Sequence, residues 1–283
     1  MTARAAAFDA ITIMGTRPGR RSRVVSMAAG LEFARDGEVG RLTFARPEKK
    51  NAITYDMWSA IPEVVAQVEA DPALKVLVLT GAGDDFSAGA DISEFGSLRS
   101  TAEGAAAYDK AVVGAVSALE AMRKPSVAMI RGNCIGGGCE ISVACDFRFT
   151  APEARFGITP AKLGIVYDFL STRQLMSLIG PAHARYFLLS GQLIDASRAR
   201  EIGLVNDVFG ALEDDVAAFV ATLCSRSQAS IRGMNRIIGK ILAGQAESDA
   251  EIDAIRSAAI HGEDYAEGVA AFLERRPPRF TYR

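Results

Sequence analysis

The run Arg131-Gly-Asn-Cys-Ile-Gly-Gly-Gly-Cys-Glu140 places bare backbone N–H groups and one carboxylate at a single turn. It follows an apolar, strand-like segment, Ser126 to Ile130, and opens a helix-like one, Ile141 to Cys145. Three consecutive glycines let a ligand approach the main chain without side-chain obstruction. The first N–H groups of a helix are unpaired donors at the positive end of its dipole. Such donors suit an oxygen that is becoming negative. When a thioester is converted to an enolate, charge builds on its carbonyl oxygen, and N–H groups fixed on that oxygen are usually the largest single catalytic contribution.

Other glycine chemistries do not fit the spacing. A dinucleotide fingerprint needs G-x-G-x-x-G, which neither Gly132 with Gly136 to Gly138 nor Gly81, Gly83 and Gly89 supplies, and no G-x-x-x-x-G-K-[ST] occurs. A purely structural turn is the remaining alternative for the triple glycine. The four cysteines include no C-x-x-C pair and there are only two histidines, His183 and His261, so no metal site is expected. Reduced, buried thiols of a cytoplasmic protein account for Cys134, Cys139 and Cys145, which lie in an apolar region.

Composition narrows the class. With 283 residues, 49% of them hydrophobic and 23% charged, the chain can bury a full core. A formal charge of −2 gives no general attraction to nucleic acid or acidic lipid. No stretch approaches the roughly 20 apolar residues of a membrane span. No folded segment is strongly basic and interleaved with aromatics, so neither nucleic acid nor membrane is expected as a partner. Residues 1–27, rich in arginine and without amphipathic period, are expected to be a disordered extension; the arginines mostly follow Ile11 to Met14, the reverse of a secretory signal.

The elements that must position the glycine turn follow from periodicity. Leu31 to Phe44 alternates as a hairpin with turn signals at Asp36-Gly37 and Gly40. Asn51 to Ala70 reads as a helix with Met57, Ile61, Val64 and Val68 on one face, and Val76 to Thr80 as a buried strand. Ser100 to Met122 repeats the helix and Ser126 to Ile130 the strand, with short extended pieces at Phe147 to Ala151 and Arg155-Phe156. From about Ser171 the pattern is helical, broken at Gly180-Pro181 and Gly191, with Asp195 as an N-cap. The chain therefore divides into an α/β core, 28–210, and a helical region, 211–283. The apolar stripe of Ile231, Met234, Ile238 and Ile241 there suggests contacts between subunits.

Three separated segments resemble one family: Phe44-Ala-Arg-Pro-Glu-Lys-Lys-Asn-Ala52, Phe86-Ser-Ala-Gly-Ala-Asp-Ile92 and Gly132 to Asp146 look like the signature blocks of the crotonase (enoyl-CoA hydratase/isomerase) superfamily. The likeness continues through Phe156-Gly157, Ser190 to Ala196, Gly203-Leu-Val-Asn206 and Glu267 to Arg276, and so covers roughly residues 30 to 283. It implies a crotonase (ClpP-like) spiral of ββα turns, with C-terminal helices assembling trimers or hexamers around bound acyl-CoA. By alignment, the N–H groups of Ala90 and Gly137 would form the oxyanion hole. Ala88, Gly89, Asp91, Ile92 and Gly136 would lie along the substrate. Arg46, Lys49, Lys50 and Arg275 are candidates for the coenzyme A phosphates, and Phe272 stands where the family often has an aromatic near the adenine. Coenzyme A arrives as part of the substrate, and no separate cofactor is implied.

The match breaks at one place. Hydratases of this family hold a water between two glutamates, and Glu140 takes the first position. The second belongs to Phe-Gly-x-Pro-Glu-x-x-Leu-Gly, whereas this chain reads Phe156-Gly-Ile-Thr-Pro-Ala-Lys-Leu-Gly164, with Pro160 in the glutamate's place. Nearby Tyr167 and Asp168 are the substitute catalytic candidates: methylmalonyl-CoA decarboxylase has a similar Thr-Pro-x-x-Leu-Gly-x-x-Tyr run, and dienoyl-CoA isomerases carry an aspartate aligning with Asp168. Enoyl-CoA hydration is the first reading. The rivals are a methylmalonyl-type decarboxylase, a double-bond isomerase, and a catalytically silent acyl-CoA-binding protein of the same fold.

Overall fold

The computed structural model describes residues 24–282. Strands β1 (Val24–Ala28), β2 (Leu31–Asp36) and β3 (Val39–Phe44) form an antiparallel meander. Helix α1 (Tyr55–Ala70) then crosses to β4 (Val76–Gly81), and α2 (Phe95–Leu98) and α3 (Ala102–Glu120) to β5 (Ser126–Ile130). Next come β6 (Asn133–Ile135), α4 (Gly137–Val143), β7 (Phe147–Thr150), β8 (Arg155–Gly157) and α5 (Pro160–Leu163). The chain ends with α6 (Phe169–Ser190), β9 (Ile194–Asp195), α7 (Ala196–Glu201), β10 (Asp207–Val208), and helices α8 (Leu212–Ser225), α9 (Gln228–Leu242), α10 (Ala250–Ile260) and α11 (Glu263–Leu273).

One sheet runs β1-β2-β3-β4-β5-β7-β10 and is parallel from β3 onward; a small second sheet runs β6-β8-β9. Strands β4 and β5 are buried throughout, which is why they read as unbroken apolar runs rather than alternating ones. Each later turn of the chain gives one strand to each sheet and then a helix: β5, β6 and α4, then β7, β8 and α5. The second layer is extended by parallel bridges outside the named strands, Ser87 to Cys134 and Ile53 to Ala90. The result is the expected spiral of ββα units.

Helix α1 starts where Thr54 accepts a hydrogen bond from Met57 N (3.2 Å), and it buries Met57, Trp58, Ile61, Val64, Val65 and Val68. These residues join Leu42, Leu77, Leu79 and Ile130 in the main core between sheet and helices. A second core lies on the other sheet face, where Leu212, Val216 and Val220 of α8 cover Val76, Val78, Val127 and Phe149. Thus α8 packs with the sheet, and the helical region expected from 211 stands apart from it only from α9 onward.

Helix α4 begins at Gly137, the helix start read from the glycine turn. Two expectations change. Residues 1–23 lie outside the described residues, but Val24 to Met27, the end of the supposed extension, belong to β1 because they find backbone partners along β2. The long C-terminal helix α6 begins at Phe169, where Asp168 caps it by accepting from Ser171 N (3.0 Å). The break at Gly180-Pro181 is present as a kink inside α6, with Gly180 at φ 74°. All four cysteines are free thiols.

Candidate active site

Two loops face each other across a cavity of about 200 Å³. The first, Ser87 to Ile92, is held where Ser87 Oγ donates to Asn51 O (2.8 Å) and Ala88 N to Lys50 O (2.8 Å), and the turn before it is fixed by the Asn51 side chain. This fully buried side chain accepts from Arg46 N (2.9 Å) and donates to Ala82 O (2.8 Å) and Asp85 O (2.6 Å). Asp85 in turn accepts from Asn133 N and Nδ2 (2.8 and 2.6 Å), tying this turn to β6, which leads into the second loop, Ile135 to Gly138.

The two amides singled out from the sequence lie at the closest approach of these loops. Ile53 donates to Gly89 O (2.7 Å) and accepts from Asp91 N (2.9 Å), so Ala90, bridged between them, turns its own N–H to the opposite side. Gly136, at φ 53° and ψ −122°, has a backbone setting that suits only glycine, and it starts α4 so that the N–H of Gly137 has no carbonyl one turn back. Neither amide has a hydrogen-bond partner among the described residues. A Cβ on Gly137 would stand 3.4 Å from Ala90 N and 2.8 Å from Cζ2 of Trp58, so no side chain fits there. Two unpaired donors side by side in one wall can take a single anionic oxygen.

Glu140 lies one turn along α4 and is 6% exposed. Burial is the main cause that raises its pKa to about 8; the Asp168 carboxyl adds to the rise, while a hydrogen bond from Ser171 Oγ to its Oε1 (2.6 Å) opposes it. Tyr167 is pushed well above the ordinary phenol value by burial and by the neighbouring Glu140 charge, and its hydroxyl lies 4.0 Å from where a Cβ on Gly136 would be. Glu140, Tyr167 and Asp168 therefore share one wall of the cavity. Pro160, in the position of the second glutamate, lines the same cavity as a buried apolar ring.

The structure brings together Ala88, Gly89, Ala90, Ile92, Gly136, Gly137, Glu140, Tyr167 and Asp168. The other candidates lie elsewhere. Arg46 and Asp91 pair with each other (2.8 Å), and Arg46 also donates to Ala52 O (2.7 Å), so both serve to fix the loop. The Asp91 carboxyl is held below its usual range by Ser93 first and then by Arg46. Lys49 and Lys50 are exposed beside the first loop, and Phe272 and Arg275 are exposed at the end of α11; none of the four lines the cavity. The sequence reading missed Trp58, Phe95, Arg99, Tyr108 and Asp109, which also line the cavity, and Ser171. The signal for Trp58 was available: it sits beside the apolar stripe of α1, where a surface residue would not be tryptophan.

A family model described as enoyl-CoA hydratase/isomerase matches residues 34–283. The chain is 35% identical over 253 residues to "Probable enoyl-CoA hydratase echA8" of Mycobacterium leprae, covering 87% of this chain and 95% of that one. It is 29% identical over 260 residues to the peroxisomal Delta(3,5)-Delta(2,4)-dienoyl-CoA isomerase of Arabidopsis thaliana, covering 87% and 94%. Among solved structures, an enoyl-CoA hydratase/carnithine racemase from Magnetospirillum magneticum superposes with a TM-score of 0.86 at 34% identity, over 91% of this chain and 97% of that one.

Proposed function

This chain belongs to the enoyl-CoA hydratase/isomerase family, and from that premise we propose that it adds water to the double bond of a 2-enoyl-CoA thioester. The observation that carries this reading is the pair of unpaired amides at Ala90 and Gly137, set in one cavity with Glu140. The thioester oxygen accepts both amides. Glu140, in its ionised form, takes a proton from a water whose oxygen bonds to the β-carbon, and the electrons of the double bond move onto the thioester oxygen as an enolate. The enolate then collapses as its α-carbon gains a proton. Since Pro160 has none to give, the Tyr167 hydroxyl gives that proton, and the proton that Glu140 took from the water passes to the Tyr167 oxygen, so both groups end as they began. The reaction needs no cofactor beyond the coenzyme A carried by the substrate.

A second reading rests on the closeness of Asp168 to Glu140. Two carboxyls along one acyl chain can move a proton between carbons and so shift a double bond, with no water required. The purified protein, incubated with crotonyl-CoA and dienoyl-CoA and followed by mass spectrometry, separates the two: gain of a water marks hydration and unchanged mass with altered absorbance marks isomerisation. Loss of turnover in Glu140→Ala supports either; thioester binding with no turnover of any enoyl, dienoyl or malonyl-type substrate overturns both.

The assembly we propose is a homotrimer or a hexamer of two trimers, because α9 leaves Met234, Ile238, Ile241 and Leu242 exposed as an apolar face. We assign it to the cytoplasm on the reduced cysteines. No helix among the described residues is long and apolar enough to cross a membrane.

A further inference from the structure

One stretch of the cavity wall is an ion pair that stands between the cavity and solvent. Arg99, the residue that follows α2, pairs with Asp109 of α3 (2.9 Å), and both line the cavity. The Asp109 side chain is 62% exposed and the Arg99 side chain 21%, so each also meets the outside. The Arg99 guanidinium lies over the rings of Phe95 (4.8 Å) and Tyr108 (5.2 Å), and Arg99 is the one cation among the described residues that line this space. The pair is set back from the two amides: Trp58 packs on Gly137, its indole nitrogen lies beside the Tyr108 hydroxyl, and Arg99 covers the Tyr108 ring. An acyl chain that runs from the amides along Trp58 and Tyr108 therefore meets a guanidinium held by side chains alone.

Apolar carbon gains nothing from either charge, and a chain that pushes between them must separate the ion pair and lift Arg99 off two rings. The room available before that point is small. A cavity of about 150 Å³ accommodates benzene, so one of about 200 Å³ holds roughly eight carbons. We infer that the Arg99–Asp109 pair sets the length limit of the acyl group, and that the natural substrate is a thioester of about eight carbons or fewer. This inference rests on the acyl-CoA site proposed above and specifies what that site selects. The Arg99 guanidinium bonds to Asp109 and not to the loops that carry the two amides, so the pair can be removed while those loops keep their own bonds.

Calorimetric titration with saturated thioesters of increasing length, from butyryl- to dodecanoyl-CoA, reads the limit apart from turnover. In the wild type, affinity should climb about fourfold for each added methylene, the worth of one buried CH₂, until the chain reaches the pair. Between hexanoyl- and decanoyl-CoA it should then fall about tenfold or more below that line, as the ion pair and the ring contacts are broken. In Arg99→Ala the break should move to longer chains, and the preference for decanoyl- over hexanoyl-CoA should rise about tenfold. Asp109→Asn releases Arg99 with little change of shape and should soften the break about threefold, with circular dichroism reporting the fold of both variants. A wild-type climb that continues unbroken to dodecanoyl-CoA, or a break that survives both substitutions, would overturn the inference. So would a loss of equal size at every length in the variants, because the pair would then border coenzyme A and not the acyl group. The wild-type series needs no variant to fold. Turnover of crotonyl-CoA without a length break would refute the limit and leave the proposed reaction standing; a length break without turnover of any enoyl thioester would do the reverse.

Discussion

Replacing Ser171 by alanine should move the pH dependence of the reaction without removing any group that touches substrate. The Ser171 hydroxyl donates to Glu140 Oε1 at 2.6 Å, both side chains being buried, and its backbone N–H, which Asp168 caps, is untouched by the change. A hydrogen bond to a charged partner is worth about 1.5 to 3 kcal/mol. The protonated acid keeps part of that bond, so the difference between the two forms is nearer 1.4 kcal/mol, or about one pH unit. Glu140, ionising at about 8 in the wild type, would then ionise near 9. At pH 7 the ionised fraction falls from about one in ten to about one in a hundred, so kcat/KM on crotonyl-CoA should drop roughly tenfold. The deficit should vanish as the pH approaches 10, because both enzymes are then ionised. The assay is the loss of enoyl absorbance between pH 6 and 10. A uniform loss at every pH, with the midpoint unmoved, would refute the claim that Ser171 acts through the ionisation of Glu140.

Asp168→Asn should shift the same midpoint downward, since it removes a neighbouring negative charge while asparagine still caps α6; an unchanged profile would mean the two carboxyls are not coupled. Stability should respond with its own sign. Glu140 has a folded pKa above its unfolded value of about 4.5, so its contribution is complete at low pH and is lost as the pH rises through about 8. Urea unfolding of the wild type should therefore lose about 2 to 3 kcal/mol between pH 6 and 9 relative to Glu140→Gln, and parallel curves for the two proteins would count against a buried, protonated Glu140. Gly137→Ala should lower kcat about 10²- to 10³-fold, because its methyl would displace Trp58 and disturb the adjoining amides; circular dichroism and kinetics together check it.

What the sequence made legible follows from where each feature gets its information. The amide pair depends on main chain and on glycine, so Gly136 to Gly138 and Ala88 to Ala90 announce it locally. Glu140 is visible for the same reason, being fixed to the turn by four residues of helix. The rest of the lining is different. Trp58 and Tyr108 come together there only because α1 packs on α3, and nothing local says which faces of two amphipathic helices end at a cavity rather than in the core. Short α2, which carries Phe95 to the site, has too few residues to show a period. The pairing of Arg46 with Asp91 was hidden likewise: a basic residue in a signature block reads as a phosphate partner until a carboxylate 45 positions later is found against it.

The bridge between Ile53 and Ala90 sets how such an enzyme can diversify. The direction of the Ala90 N–H is determined by bonds that its two neighbours make to Ile53, with no share for its own side chain. Residue 90 can thus be exchanged for many others while the donor stays aimed, and only proline there, or a break in the Ile53 pairing, would silence it. Substitutions along the acyl wall are free to change what is selected, generation after generation, without ever asking the chemical step to be reinvented.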